Sequence, residues 1–196
     1  MEILFPITFM FHKENIKMTS TWPEMILEPV GTVISELTVP SLTPSHDSLE
    51  SSISRENIKK EHEKIKKMLS EIHIFESSAA RLKGIENFSH ILVLYWPHLI
   101  APDKRHLEQV HPMGRKNIEK QGIFATCSPA RPNPILVSAV RLIERKGNIL
   151  KVKGLEAVND SPVIDIKPYC PSYMVTENLK IPDWMASVID DSQANI

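Results

Sequence analysis

The feature that most constrains this chain is its punctuation. Short β-branched or apolar segments follow one another closely, and a single long helical pattern interrupts them. Residues 26–35 combine β-branched side chains with near-alternating polarity and read as a first strand, where Pro29 and Gly31 suggest an edge position or a bulge. Residues 72–75 alternate as a second short strand. The most apolar run, residues 88–96, lies between Asn87 and Pro97. It is far below the roughly 18–20 residues of a bilayer span, so it reads as a buried strand. Residues 123–126, 136–144, 148–155 and 163–166 are further strand signals, and Gly147 within 145–148 marks a hairpin. Residues 39–52, rich in Ser, Thr and Pro, are expected to form a loop. Strands this short and this close favour an antiparallel barrel or sandwich over a parallel doubly wound sheet.

The helical pattern covers residues 54–70 and places Ile58, Ile65 and Leu69 on one face. Its Lys-rich face reads as solvated, with RNA contact as the alternative. Residues 76–82 predict one or two helical turns stopped by Gly84. After Tyr169, Pro171, Pro182 and a polar finish mark an irregular tail, in which residues 184–188 form a small amphipathic turn that docks on the body. The expected organisation is an N-terminal extension at 1–25, one mainly β domain at 26–169 with one or two peripheral helices, and a tail at 170–196.

Composition narrows function mostly by exclusion. With 196 residues the chain suits one domain plus tails. Lys+Arg number 23 against 24 Asp+Glu, so the global charge gives no sign of phosphate binding, although a local basic patch remains compatible with it. Cys127 and Cys170 lie far apart with no CxxC, which argues against a disulfide framework or structural zinc and fits a reducing cytoplasm. The apolar N-terminus lacks a positive start and a small-residue cleavage site, so it does not read as a secretory signal. Rossmann, Walker A, HExxH and GxSxG patterns are missing, and His106 and His111 do not make a metal-ligand set. Neither a metal nor a membrane is expected.

Two clusters carry potential chemistry. In residues 124–135, Pro129, Pro132 and Pro134 fix φ and remove three amide donors, holding Arg131 and Asn133 on a stiff backbone. Such a segment either presents a hydrogen-bonding fork to a ligand or is a turn in which Arg131 pairs with a carboxylate and Asn133 caps the backbone. In residues 154–169, Glu156, Asp160 and Asp165 are potential acceptors for a ribose or an amino group. Asp165 and Lys167 share a strand face and are expected to pair, whereas Glu156 and Asn159 sit at a turn open to a ligand.

Four segments, residues 88–91, 122–126, 128–135 and 161–169, occur in an order that resembles the TsaA-like family, whose studied members are the TrmO-type S-adenosylmethionine-dependent tRNA methyltransferases. The resemblance runs from about Ile26 to Tyr169 and implies a small antiparallel β-barrel, a homodimer, and S-adenosylmethionine bound near the subunit interface. It implies methyl transfer to N6 of threonylcarbamoyladenosine beside the tRNA anticodon, in the cytoplasm. By resemblance, His98 follows the long apolar strand near the cofactor, as a candidate base or orienter or as a contact to the adenosyl end. Cys127, Val137, Glu156, Ala157, Val158 and Asn159 join His98 as expected cofactor contacts, and Arg131 and Asn133, in the most characteristic loop, join His98 as catalytic candidates. Tyr95 and Trp96 offer aromatic faces to a sulfonium. The sequence departs from the family pattern at Cys127, where an arginine is usual, and at Leu136, where glycine is usual. A Pro-x-Gln element after the first strand is replaced by residues without glutamine, and the acidic turn reads Glu-Ala-Val-Asn. The rival expectations are a non-catalytic S-adenosylmethionine- or nucleotide-binding dimeric module and a methyltransferase with another acceptor.

Overall fold

Gly31 fixes where the sheet begins. In the computed structural model, which describes residues 23–45, 49–51, 55–173 and 177–192, a Cβ at Gly31 would lie 2.5 Å from the His73 carbonyl oxygen. Only glycine lets two strands approach so closely. The strand it opens, β1 (Gly31–Ile34), is therefore no edge: it pairs on one side with β4 (Leu69–Ile74) and on the other with β10 (Pro162–Pro168). The remaining staves are β5 (His90–Tyr95), β8 (Leu136–Lys146) and β9 (Ile149–Lys153). Their order, β1-β10-β5-β8-β9-β4, closes an all-antiparallel barrel. A closed barrel leaves no backbone edge to pair with another chain.

The barrel core follows the period of two. Val33, Ile72, Ile91, Val93, Val140, Leu150, Val152 and Val163 point inward and are at most 1% exposed. Their neighbours along each strand point out. Two irregularities bend the staves: the register shifts between Leu142 and Glu144 on β8 and between Val163 and Asp165 on β10. The β8–β9 hairpin has a two-residue loop with Gly147 at φ 60° in its first position. Asn148 Nδ2 donates to the Ile74 carbonyl at 2.6 Å, tying the hairpin tip to β4.

Several expectations need correction. Residues 39–52 are not all loop: β2 (Leu42–Pro44) pairs with β3 (Leu49–Ser51). The Ser/Thr/Pro content masked a hairpin too short to show alternation. Residues 123–126 are not a strand but a 3₁₀ turn, Ile123–Ala125, held by Thr126 Oγ1 donating to the Ile123 carbonyl at 2.9 Å. Helix α1 (Arg55–Lys67) stops short of Leu69, which opens β4 and is 49% exposed rather than packed beside Ile65. The cause is the Gly154 amide donating to the Met68 carbonyl at 3.0 Å, which draws the chain into the sheet. Three helices are present among the described residues, not one or two. Helix α2 (Glu76–Ala79) is one turn, and α3 (Asp183–Ser192) is longer than the expected turn at 184–188. Most of the expected N-terminal extension lies outside the described residues.

β5 and β8 are neighbours in space, yet residues 96–135 intervene in sequence. This excursion contains β6 (Gln109–Val110) paired with β7 (Gln121–Gly122) and buries a small core of Ile100, Val110, Ile123 and Ala130. Arg115, in the same excursion, is buried, and its Nη1 bonds Asp191 Oδ2 on α3. Helix α3 also packs on α1, so the tail expected to be irregular is anchored by a charged contact and a helix contact.

Candidate functional site

The barrel's antiparallel order brings the ends of β1, β5 and β9 and the starts of β8 and β10 to one rim. A cleft of about 370 Å³ opens there, within the range of small-molecule sites. Its floor is built from the barrel itself. Tyr95, the last residue of β5, is 5% exposed and donates its hydroxyl to the Glu156 carbonyl at 2.7 Å. The Tyr95 hydroxyl oxygen in turn accepts from Ser138 Oγ of β8 at 3.4 Å. Burial pushes the Tyr95 phenol up to about 12, so it stays a neutral donor. One side chain thus ties β5, β8 and the 154–161 turn together.

That turn is held from its other side by β1. The Asn159 amide donates to the Leu37 carbonyl at 2.7 Å, and the Asp160 amide to the Val33 carbonyl at 2.8 Å. Asn159 Oδ1 accepts from the Ser35 amide at 3.0 Å, and its Nδ2 donates to Asp160 Oδ2 at 2.9 Å. Asp160 adopts φ 63°, a left-handed conformation that aspartate tolerates through local hydrogen bonds. The result leaves Glu156 and Val158 in the cleft wall. Glu156 Oε1 accepts from Ser41 Oγ at 2.9 Å, across from the segment leading into β2.

His98 and the Pro-rich loop supply the opposite wall. His98 is half-buried, and its Nδ1 lies 3.5 Å from Ser161 Oγ. Burial lowers its pKa, and the Asp160 carboxylate partly offsets this. The imidazole is therefore neutral at pH 7. Arg131 donates from Nη1 to the Thr126 carbonyl at 3.1 Å and stands 6.0 Å from the Phe124 ring centroid. Pro134 is fully buried and Ala130 is 0% exposed, so the loop is pinned where Arg131 faces the cleft. Cys127 and Val137 also line it, and both are exposed.

Of the residues singled out from sequence, His98, Cys127, Arg131, Val137, Glu156 and Val158 therefore share one cleft. Asn133 is exposed and stands outside the lining, so the expected fork has one prong. Ala157 is buried in the barrel core, because the inward residue of the turn alternates with Glu156 and Val158. Asn159 is spent on backbone positioning. Trp96 is also outside the lining; the Arg105 guanidinium covers its ring at 5.0 Å, which removes it as an open aromatic face. Ser41, Met113, Ser138 and Ser161 line the cleft without having been singled out. Met113, at φ 54°, carries no sequence signal for that conformation, whereas Ser161 opens one of the four resemblance segments. Among the described residues no group of three His, Cys, Asp or Glu is placed to hold a metal ion, and no helix is long and apolar enough to cross a membrane.

The cleft suits an amphipathic, nucleoside-sized ligand. Leu37, Leu42, Ile135 and Leu136 present apolar surface, while Glu156, Arg131, His98 and Ser161 supply a few convergent polar groups. Fold and cleft together define a small antiparallel β-barrel with a cleft assembled at one rim. Residues 51–174 match the sequence profile of the tRNA-methyltransferase O N-terminal domain, and the chain belongs to that family. It is 45% identical over 110 residues to a probable S-adenosyl-L-methionine-binding protein of Pyrococcus abyssi, covering 56% of this chain and 57% of that protein. It is 32% identical over 161 residues to the human tRNA (adenine(37)-N6)-methyltransferase, covering 81% of this chain and 33% of that enzyme. The crystal structure of TrmO from Pseudomonas aeruginosa matches with a TM-score of 0.58 at 20% identity, over 85% of this chain and 63% of that one. The chain thus spans between a third and two thirds of these proteins.

Proposed function

We propose that this protein is an S-adenosylmethionine-dependent methyltransferase acting on N6 of threonylcarbamoyladenosine next to the tRNA anticodon, and that it works in the cytoplasm as a homodimer. One arrangement carries the reading: His98, Arg131, Glu156 and Val158, distant in sequence, face one cleft at the barrel rim in a chain of this family. The cofactor is the ligand that the archaeal relative is named for, and the acceptor position is the one named for the human relative.

The residues present fit S-adenosylmethionine, which when bound supplies an electrophilic methyl group. The apolar wall accepts an adenine face. The Glu156 carboxylate favours a cationic or hydroxyl-bearing portion, and Arg131 favours a carboxylate. A second apolar set lies on the outside of the barrel at the cleft end of β5 and β8, where Leu92 and Leu94 are half-buried and Val137 is 57% exposed. Val137 belongs both to this face and to the cleft wall, so a second subunit seated there would enclose the site.

Methyl transfer is an in-line displacement that depends on alignment. A carbamoylated adenine N6 is a weak nucleophile and benefits from losing its proton. His98 is the group that takes it: the imidazole is neutral at pH 7, and beyond its Ser161 contact no hydrogen bond occupies the ring among the described residues. Tyr95 acts only by positioning, because its hydroxyl is committed on both sides.

The test is transfer of labelled methyl from S-adenosylmethionine to tRNA carrying threonylcarbamoyladenosine, with calorimetry of the demethylated cofactor in parallel. Product methylated at N6 supports the reading. Cofactor binding without transfer to that tRNA instead favours the binding-module reading or another acceptor. The replacement of the family's usual arginine by Cys127 in the cleft wall is the observation behind the binding module. Alkylation of Cys127 should be slowed by bound cofactor, since the exposed thiol lines the same cleft.

A further inference from the structure

The outward-facing cations on the barrel strands are not treated alike. Arg145 pairs with Glu86, Lys146 with Glu144 and Lys167 with Asp165. Lys151 lies directly opposite Glu71 on one neighbouring strand and Glu144 on the other. Lys153 and Arg141 depart from this pattern: they are cross-strand partners of each other, and Arg141 is in turn opposite His90. No carboxylate pairs with either cation among the described residues, and like charges directly opposite each other on a sheet are destabilising. A row of this kind carries its own repulsion, which an anion bound across it relieves.

Both ends of the row extend its character. Lys153 is opposite Leu69, and the adjoining Gly154 amide bonds the Met68 carbonyl, so the row abuts the last turn of α1. There Lys66 and Lys67 share the single carboxylate of Glu63, at 3.7 and 3.8 Å. At the other end, the His90 ring stands 6.2 Å from the ring of Tyr169, which is 38% exposed. Positive charge tracking across a surface and ending on an aromatic ring is how proteins grip a nucleic-acid strand without reading its sequence.

We propose that the row Lys153–Arg141–His90, continued by Lys66 and Lys67, is a docking band for the phosphate backbone of the RNA substrate, separate from the cleft and holding the tRNA while its modified base reaches the rim. This rests on the tRNA reading given above. The outward side chains of β8 link the two places: Val137 lines the cleft, and Ala139 and Arg141 follow on the same face.

The experiment is fluorescence anisotropy of labelled tRNA with the full chain and with the double variant Arg141→Gln/Lys153→Gln, from 50 to 200 mM salt. Loss of two phosphate contacts lowers the slope of log affinity against log salt by roughly 1.4–1.8 and weakens binding on the order of 30-fold at 0.1 M salt. Cofactor affinity should hold, since neither residue lines the cleft, and the thermal midpoint should hold or rise, since their mutual repulsion is relieved. The Arg141→Lys variant should retain the slope, and Lys146→Gln, whose charge is already paired, should leave it unchanged. If the unaltered chain binds tRNA and the double variant matches it in slope, the band is refuted while the substrate reading stands. If the unaltered chain binds no tRNA, both fall. A reduced slope in a protein that transfers no methyl group keeps the band and removes the reaction.

Discussion

Tyr95→Phe isolates one hydroxyl on which the cleft floor depends. Phenylalanine keeps the packing of a side chain only 5% exposed, so the change removes the donor to the Glu156 carbonyl and the weaker 3.4 Å acceptor for Ser138 Oγ, which can turn to another partner. A buried acceptor stripped of its partner costs about 1–3 kcal/mol, and that is the stability difference expected at pH 7. The pH dependence makes the test sharper. Burial raises the Tyr95 phenol from 10.0 to about 12. A group with a raised folded pKa contributes stability that is complete below the unfolded pKa and is lost as pH climbs through the folded one. The unfolded phenol ionises from pH 10 while the folded one does not, so the tyrosine protein loses about 1.4 kcal/mol by pH 11 and approaches 2.7 kcal/mol at higher pH. The phenylalanine protein has no such loss. Lysines and other tyrosines titrate equally in both and cancel in the difference. Urea unfolding of the two proteins at pH 7, 9, 10 and 11 reads the gap directly: it should be constant to pH 9 and then narrow. Parallel profiles through pH 11, or proteins of equal stability at pH 7, would refute the assignment of Tyr95 as the buried clasp.

Other perturbations follow from the same geometry. Gly31→Ala places a methyl group 2.5 Å from backbone on β4, so it should cost about 2–3 kcal/mol in urea unfolding. His98→Gln should remove an acid-sensitive component of stability. The lowered folded pKa means that the histidine's contribution is present above about 6.5, the ordinary value, and is lost as pH falls through the folded one. Unfolding midpoints from pH 7.5 to 5 check this. Asp191→Asn leaves the buried Arg115 without its ionic partner and should cost about 1–2 kcal/mol, discounted because Asp191 is partly exposed. Arg115→Met should cost less, since Arg115 Nε and Nη2 already lack partners among the described residues.

The barrel was legible where alternation survived. Phe88–Trp96 contains β5 because Ile91, Val93 and Tyr95 had to face a common interior, and Gly147 announced the β8–β9 turn. Closure was not legible, because the pairing of Gly31 with Val163 leaves no local mark. It also reversed the meaning of Gly31, which looks like an edge signal and is instead a point of close strand approach. Within the cleft, the stiff prolines mark the loop that carries Arg131 into the wall, but their spacing does not say which side of the loop faces in, and Asn133 is exposed outside the lining. Polar residues at the turn gave Glu156 and Asn159 equal standing; the tertiary hydrogen bond from Ser35 takes up Asn159, while Glu156 stands in the cleft wall.

The barrel is completed late along the chain, and this bears on its synthesis. β10 is the stave between β1 and β5, and it comes last of the six in sequence. Until it leaves the ribosome, both of those strands carry open backbone edges, so a truncated product ending before Pro162 offers two templates for intermolecular pairing. A premature stop upstream of β10 would therefore yield an aggregating species rather than a merely weakened fold.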